Sequence, residues 1–153
     1  MNYLHTQRTQ AGFGLVESLV ALVVVSVGMI GIASLYGQGL GAGRTALFRT
    51  QAVNLASDMA DRIRVNRLGG PAYGGAAADN ECDPGGDTDC TAAEMAAHDL
   101  FVWQALVAAQ MPNGVGAVQY LGTTPPTYTI SVGWQEVGVG AITHQIAIRV
   151  PTL

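Results

Sequence analysis

Lysine is absent from this chain: its seven basic residues are all arginine (Arg8, Arg44, Arg49, Arg62, Arg64, Arg67 and Arg149). Eleven acids outweigh them, for a net charge of −4 and a pI near 5.1. Binding a phosphate backbone calls for a dense basic footprint, so no nucleic-acid partner is expected. Cysteine is scarce, with two in 153 residues, and the three histidines (His5, His98 and His144) are scattered. The common four-ligand zinc sites need more sulfur and imidazole at closer spacing, which sets aside a zinc enzyme. Charge of either sign is thin at 12%, about half the usual share for a soluble domain. Yet 49% of the residues are apolar and the mean hydropathy is +0.29, so the hydrophobicity is concentrated in one place. The length suits one domain of ordinary size, or a small domain with one added element.

The concentration lies near the N-terminus. Ser18 to Gly43 is a run of 26 residues without a charge. Its core, from Leu19 to Leu35, is long enough to cross a bilayer, for which about 20 residues suffice at 1.5 Å each. A buried helix of a soluble protein is usually shorter and amphipathic, so a membrane-inserted helix is expected. An ordinary secretory signal would put a small-residue cleavage site after its apolar stretch. Here the order is reversed: Met1 to Gly12 is polar and precedes the run. Glu17 is the odd residue, because an acid deep in a bilayer costs about 2.5–3.5 kcal/mol on insertion scales. Either it lies near the interface and stays hydrated, or it is kept for a partner.

Past the run the pattern becomes amphipathic. Phe48, Ala52, Leu55, Met59 and Ile63 recur at spacings of four or three and form one stripe. Asp58 and Arg62 stand four apart beside it, a pairing worth a few tenths of a kcal/mol. The glycines at 37, 39, 41 and 43 predict a weak point or bend, since each costs a helix about 1 kcal/mol relative to Ala. Gly28 and Gly31 alternatively permit close packing against other membrane helices. Leu68-Gly69-Gly70-Pro71 predicts the helix end. A helix from Phe13 to about Arg67 would be roughly 80 Å long.

The rest reads as a small α+β unit. Ala72 to Cys90 is a loop rich in Gly, Ala and Asp. Thr91-Ala92-Ala93-Glu94 has the form of a capping box and opens a helix over about 92–111. Met95, Val102, Leu106 and Ala109 are its expected apolar positions, and Pro112-Asn113-Gly114 is its stop. His98 and Trp103 fall in this helix and read as packing or surface residues. Val115–Leu121 is a short candidate strand. Tyr128–Trp134 alternates through Tyr128, Ile130, Val132 and Trp134, and Ala141–Val150 through His144, Ile146, Ile148 and Val150. Val137-Gly138-Val139-Gly140 supplies a hairpin turn, and Pro125-Pro126 separates the first two strands. The expectation is a three-stranded antiparallel sheet with one face against the long helix.

The N-terminal residues carry a family resemblance. Gly12-Phe13-Gly14-Leu15-Val16-Glu17 followed by an apolar run resembles the class III signal of type IV pilins and pseudopilins: Gly, then Phe, then an acid at the fifth position counted from Phe. The resemblance implies cleavage between Gly12 and Phe13 by a prepilin peptidase, and N-methylation of Phe13. The mature chain would have 153 − 12 = 141 residues and, without Arg8, a charge of 6 − 11 = −5. It also implies that Glu17 neutralises the N-terminal amine of a neighbouring subunit during assembly. The physics agrees, because paired ions in a low-dielectric medium are far less costly than an unpaired one. The implied organisation is a leader (1–12), a transmembrane and filament-core helix (13–43), its amphipathic continuation (44–70) and a periplasmic head (71–153). The implied fold is the α+β type IV pilin fold, a long N-terminal helix packed on a small antiparallel sheet with one extra helix.

Basic residues give the opposite topology. Arg8 precedes the span while Arg44 and Arg49 follow it, which alone would keep the C-terminal part in the cytoplasm. The class III signal and the cysteines point to a periplasmic head in a single-pass inner-membrane protein that later joins a pilus at the cell surface. In an exported chain Cys82 and Cys90, eight apart, suggest a disulfide worth about 2.5 kcal/mol in the chain-entropy account, a free-thiol pair being the alternative. The loop carries Asp79, Glu81, Asp83, Asp87 and Asp89. Some pseudopilins bind calcium through such loops, but the spacing is not that of an EF-hand and a solvated acidic loop is the commoner outcome.

More narrowly, the order of elements resembles the PilV-type minor pilins, called type IV pilus modification proteins. The carrying features are Leu19–Val25, the cysteine-bounded loop, the helix around Asp99–Leu106, the stop at Gly114 and the Tyr128–Trp134 strand. That resemblance implies a structural subunit without catalytic residues, metal or cofactor, which primes or caps filament assembly. Its partners would be the major pilin, other minor pilins, prepilin peptidase, the inner-membrane assembly machinery and the membrane itself. A minor pseudopilin of a type II secretion system shares the N-terminal signal and is the alternative.

Overall fold

The computed structural model describes residues 12–82 and 89–151. Arg8 and the rest of the leader before Gly12, and Asp83 and Asp87 of the acidic loop, lie outside the described residues. The elements run α1 (Leu15–Val65), a 3-10 segment (Arg67–Gly74), α2 (Ala92–Gln110), β1 (Val115–Leu121), β2 (Thr127–Glu136) and β3 (Gly140–Arg149). The chain divides into two compact units between Gly43 and Arg44.

In the first unit, residues 15–43 are helical throughout, including Gly37 to Gly43. The cost of about 1 kcal/mol per Gly does not interrupt the helix at those glycines.

In the second unit the rest of α1 buries Ala52, Leu55, Ala56, Met59, Ala60 and Ile63, which is the stripe read from the sequence, and Phe48 packs half-buried beside it. The helix ends at Val65, slightly before the expected Leu68, and Gly69-Gly70-Pro71 falls inside the 3-10 segment. Gly70 takes φ 45° there, a left-handed conformation that a side chain would resist, and the chain turns so that Tyr73 is buried.

Helix α2 opens with the anticipated capping box: the Glu94 backbone N–H donates to Thr91 Oγ1 (3.3 Å) and the Thr91 N–H donates to Glu94 Oε2 (2.8 Å). Its inward face differs from the expected one. Ala96, Leu100, Trp103 and Val107 are buried, while Met95, Val102 and Leu106 are half-buried and Ala109 is exposed. Apolar residues surround this helix, so periodicity could not single out one side. The Trp103 ring decides the matter. Its Nε1 donates to the Leu55 carbonyl at 2.8 Å, tying α2 to α1. A Cβ on Gly116 would come within 2.5 Å of that ring, so only glycine lets β1 lie against it.

The sheet has the order β1-β2-β3 and is antiparallel throughout, with Val118 opposite Ile130 and Ile130 opposite Ile146. Tyr128, Ile130, Val132 and Trp134 point into the core, together with Ile148. This alternation places the second half of α1 and α2 over one face, the two-layer α+β arrangement in which a half-apolar sheet buries one side. Cys82 and Cys90 form a disulfide that closes the loop ahead of α2.

Candidate assembly interface

Helix α1 begins just beyond Phe13. Gly12 and Gly14 flank that residue, and among the described residues a Cβ at either would meet nothing within 4 Å. The N–H groups of Glu17 and Ser18 donate to the Gly14 carbonyl at 3.0 and 3.2 Å, which starts the helix. Glu17 thus lies in the first turn, where the partial positive charge of the helix N-terminus favours a carboxylate.

Beyond Glu17, the apolar run presents its side chains outward on all sides. Leu19, Val20, Leu22, Val23, Val24, Val25, Val27, Met29, Ile30, Ile32 and Leu35 are all exposed. The run is long and apolar enough to cross a membrane, and its most apolar window has no buried residue. Ser26 fits the same medium, because its hydroxyl donates to the Leu22 carbonyl at 2.7 Å and needs no water. Such a surface is unstable in water and demands lipid or other apolar helices.

The second unit holds Cys82 and Cys90, so Gly12, Phe13 and Glu17 and the disulfide occupy separate units. An unanticipated polar network braces this unit from inside. Asp99 on α2 accepts from Arg62 Nη1 at 3.0 Å and from the Tyr73 hydroxyl at 2.7 Å. Arg62 also meets Asp58 at 3.1 Å, and the Tyr73 hydroxyl lies 3.3 Å from the Arg62 carbonyl. One carboxylate therefore joins α1, the 3-10 segment and α2. Burial, with the Asp99 carboxylate adding to it, pushes the Tyr73 phenol well above its ordinary range. Burial works against the charge on Arg62, but Asp99 and Asp58 outweigh it and raise that pKa. Sequence spacing hides the network, whose members are 37 and 26 residues apart. Only the Asp58–Arg62 pair, four apart, was legible.

Glu136 at the end of β2 is a buried carboxylate. It accepts from Thr45 Oγ1 at 2.8 Å and from Trp134 Nε1 at 2.9 Å, which pins the sheet to the first turn of α1 after Gly43. His98 is buried with Nδ1 3.3 Å from Asp79 Oδ1, so it braces the loop to α2. Among the described residues no group of three or more His, Cys, Asp or Glu is placed to hold a metal. A groove of about 360 Å³ lies between α1 and α2, lined by Leu47, Gln51, Asn54, Asp58, Leu106 and Gln110.

Comparison with known families agrees with this division. A model for the prokaryotic N-terminal methylation motif matches residues 7–33, which include Gly12, Phe13, Glu17 and most of the apolar run. A family model described as Type IV pilin Tt1218 matches residues 35–101, from the end of that run through the amphipathic half of α1 and the disulfide loop into α2. No curated protein and no solved structure gives a significant match. Over these two stretches the chain is similar to type IV pilins and to the N-terminal methylation motif, in keeping with the exposed apolar helix and the packed α+β head.

Proposed function

We propose that the chain is a minor pilin of the PilV type, which primes or caps a type IV pilus. The observation that carries this reading is the apolar run exposed on every side immediately behind Gly12, Phe13 and Glu17. A helix with that surface is stored in a bilayer and then transferred to a bundle of like helices, with no water-exposed intermediate. Prepilin peptidase cuts between Gly12 and Phe13 and the new Phe13 amine is methylated. The amine of a neighbouring subunit then finds the Glu17 carboxylate, a pairing that removes two isolated charges from an apolar core. The head faces the periplasm, where an oxidising environment maintains the Cys82–Cys90 disulfide. The extra helix α2 and the cysteine-bounded loop before the sheet favour a pilus over a secretion pseudopilus.

An in-frame deletion scored for surface pili by shearing and microscopy tests this. Pili are lost, and return with the wild-type chain but not with a Gly12→Val variant that blocks cleavage. Intact pili with impaired enzyme export would assign the chain to a type II secretion pseudopilus instead.

A further inference from the structure

The β2–β3 hairpin has an exposed apolar tip that the head itself leaves uncovered. Val137 is 98% exposed and Val139 66%, between Gly138 and Gly140, both at positive φ. The tip is tied to the strand end: the Val139 N–H donates to the Glu136 carbonyl at 3.2 Å, and the Glu136 carboxylate accepts from Thr45 and Trp134.

The direction of β2 explains what the tip is for. At one end of the strand, Tyr128 packs against Tyr73, ring centroids 6.4 Å apart, and the Tyr73 hydroxyl reaches the Arg62 carbonyl. At the other end Glu136 holds Thr45. Eight strand steps of about 3.3 Å and seventeen helical steps of about 1.5 Å both come to about 26 Å. So β2 follows the second half of α1 in reverse, and its continuation carries Val137, Gly138 and Val139 past Thr45. That is the end of the head at which the chain arrives from its apolar run, which stops at Gly43. From Leu100 to Ile148 the sequence contains Glu136 and no other Asp, Glu, Lys or Arg, and Glu136 is buried. The tip and its surroundings therefore offer no carboxylate to repel anionic lipid. Arg44 and Arg49, both exposed, lie at the same end.

We propose that this hairpin tip is a second membrane contact: before assembly, Val137 and Val139 sit in the headgroup and acyl boundary of the bilayer, with Arg44 and Arg49 facing anionic headgroups. The inference rests on anchoring through residues 18–43. Apolar side chains on interfacial segments bury at the headgroup and acyl boundary, and basic residues nearby add attraction to anionic lipid. Extraction into a filament then has to release the tip as well as the helix.

The test uses the full chain in vesicles of phosphatidylethanolamine and phosphatidylglycerol, with and without brominated acyl chains that quench adjacent indoles. Val137→Trp and Val139→Trp each add a reporter, Leu68→Trp adds one near the other end of the head, and the buried Trp103 and Trp134 set the wild-type background. Each variant is first required to show the wild-type melting transition, and either tip variant alone is sufficient. The added emission at 137 and 139 loses most of its intensity in brominated lipid, while that at 68 is unchanged. If the chain floats with the vesicles but the tip reporters are quenched no more than Leu68→Trp, the inference fails and the anchoring stands. Protection of the tip only after another pilin subunit is added would overturn the inference in favour of a protein contact. Failure to float would overturn the anchoring, and the inference with it.

Discussion

The two halves of α1 share one secondary structure and have opposite surroundings. Val24 in the first half is 64% exposed, whereas Ile63 in the second is fully buried. The first half is apolar on every side, and the second is apolar along one stripe with Asp58, Asp61, Arg62 and Arg64 off it. A stripe means that the partner belongs to the same chain, because only one face has to be covered. A uniformly apolar surface means that the partner is outside the chain, as lipid or as other helices. Burial of the stripe stabilises the head, whereas the most apolar window of the first half has no buried residue and leaves its surface for a partner outside the chain.

The sharpest way to break this comparison is to alter one half and measure the other. Glu17→Val is expected to reduce entry into sheared filaments to background while the melting temperature of the head stays unchanged. Normal incorporation of that variant would remove Glu17 from the assembly role. In the other direction, Trp103→Ala removes the largest fully buried side chain and its hydrogen bond to Leu55. It should destabilise the head by about 3–5 kcal/mol in thermal or denaturant unfolding, without moving the chain out of the membrane fraction. Opening the disulfide, by reduction or by Cys82→Ser with Cys90→Ser, is expected to cost about 2.5 kcal/mol for so short a loop. The same unfolding curves read it out.

Two smaller effects are confined to the head and depend on pH. The folded state holds the Tyr73 proton after the unfolded chain has lost its own, because burial and Asp99 raise the phenol. Stability from this group is therefore level below about pH 10, the ordinary tyrosine value, and falls as pH rises above it. Tyr73→Phe should flatten that alkaline limb and leave a residual slope from Tyr128, which burial shifts in the same direction. Glu94 shows the opposite sign: hydrogen bonds from the Thr91 backbone and hydroxyl lower its pKa. Its contribution is present above about pH 4, the ordinary glutamate range, and is lost as pH falls through the folded value. Thr91→Ala should cost about 1 kcal/mol and remove this acid limb from a pH series of melts.

Legibility followed the same boundary. The α1 stripe, the three strands, the Val137–Gly140 turn and the Thr91–Glu94 capping box were readable because each depends on near neighbours in sequence. Helix α2 was read to the right length but with the wrong inward face, since Met95, Ala96, Val102, Trp103, Leu106 and Val107 leave no polar side to orient it. The 3-10 segment was missed because Gly69-Gly70-Pro71 signals the end of an α-helix and is equally compatible with a loop or a tighter helical turn. Asp99, Tyr73 and Glu136 were passed over because their partners are distant in sequence and a buried carboxylate looks no different there from a solvated one. The spacing of Gly12, Phe13 and Glu17 falls within the matched N-terminal methylation motif. Nothing comparable marks the hairpin tip, whose significance depends on where β2 ends relative to Thr45.

Mass spectrometry of the chain recovered from sheared filaments tests the central claim most directly. The account predicts a 141-residue chain, 153 − 12, beginning at N-methylated Phe13, with the Cys82–Cys90 disulfide intact. A filament-borne chain that still begins at Met1, or absence of the chain from filaments while it is processed in the membrane, would contradict it.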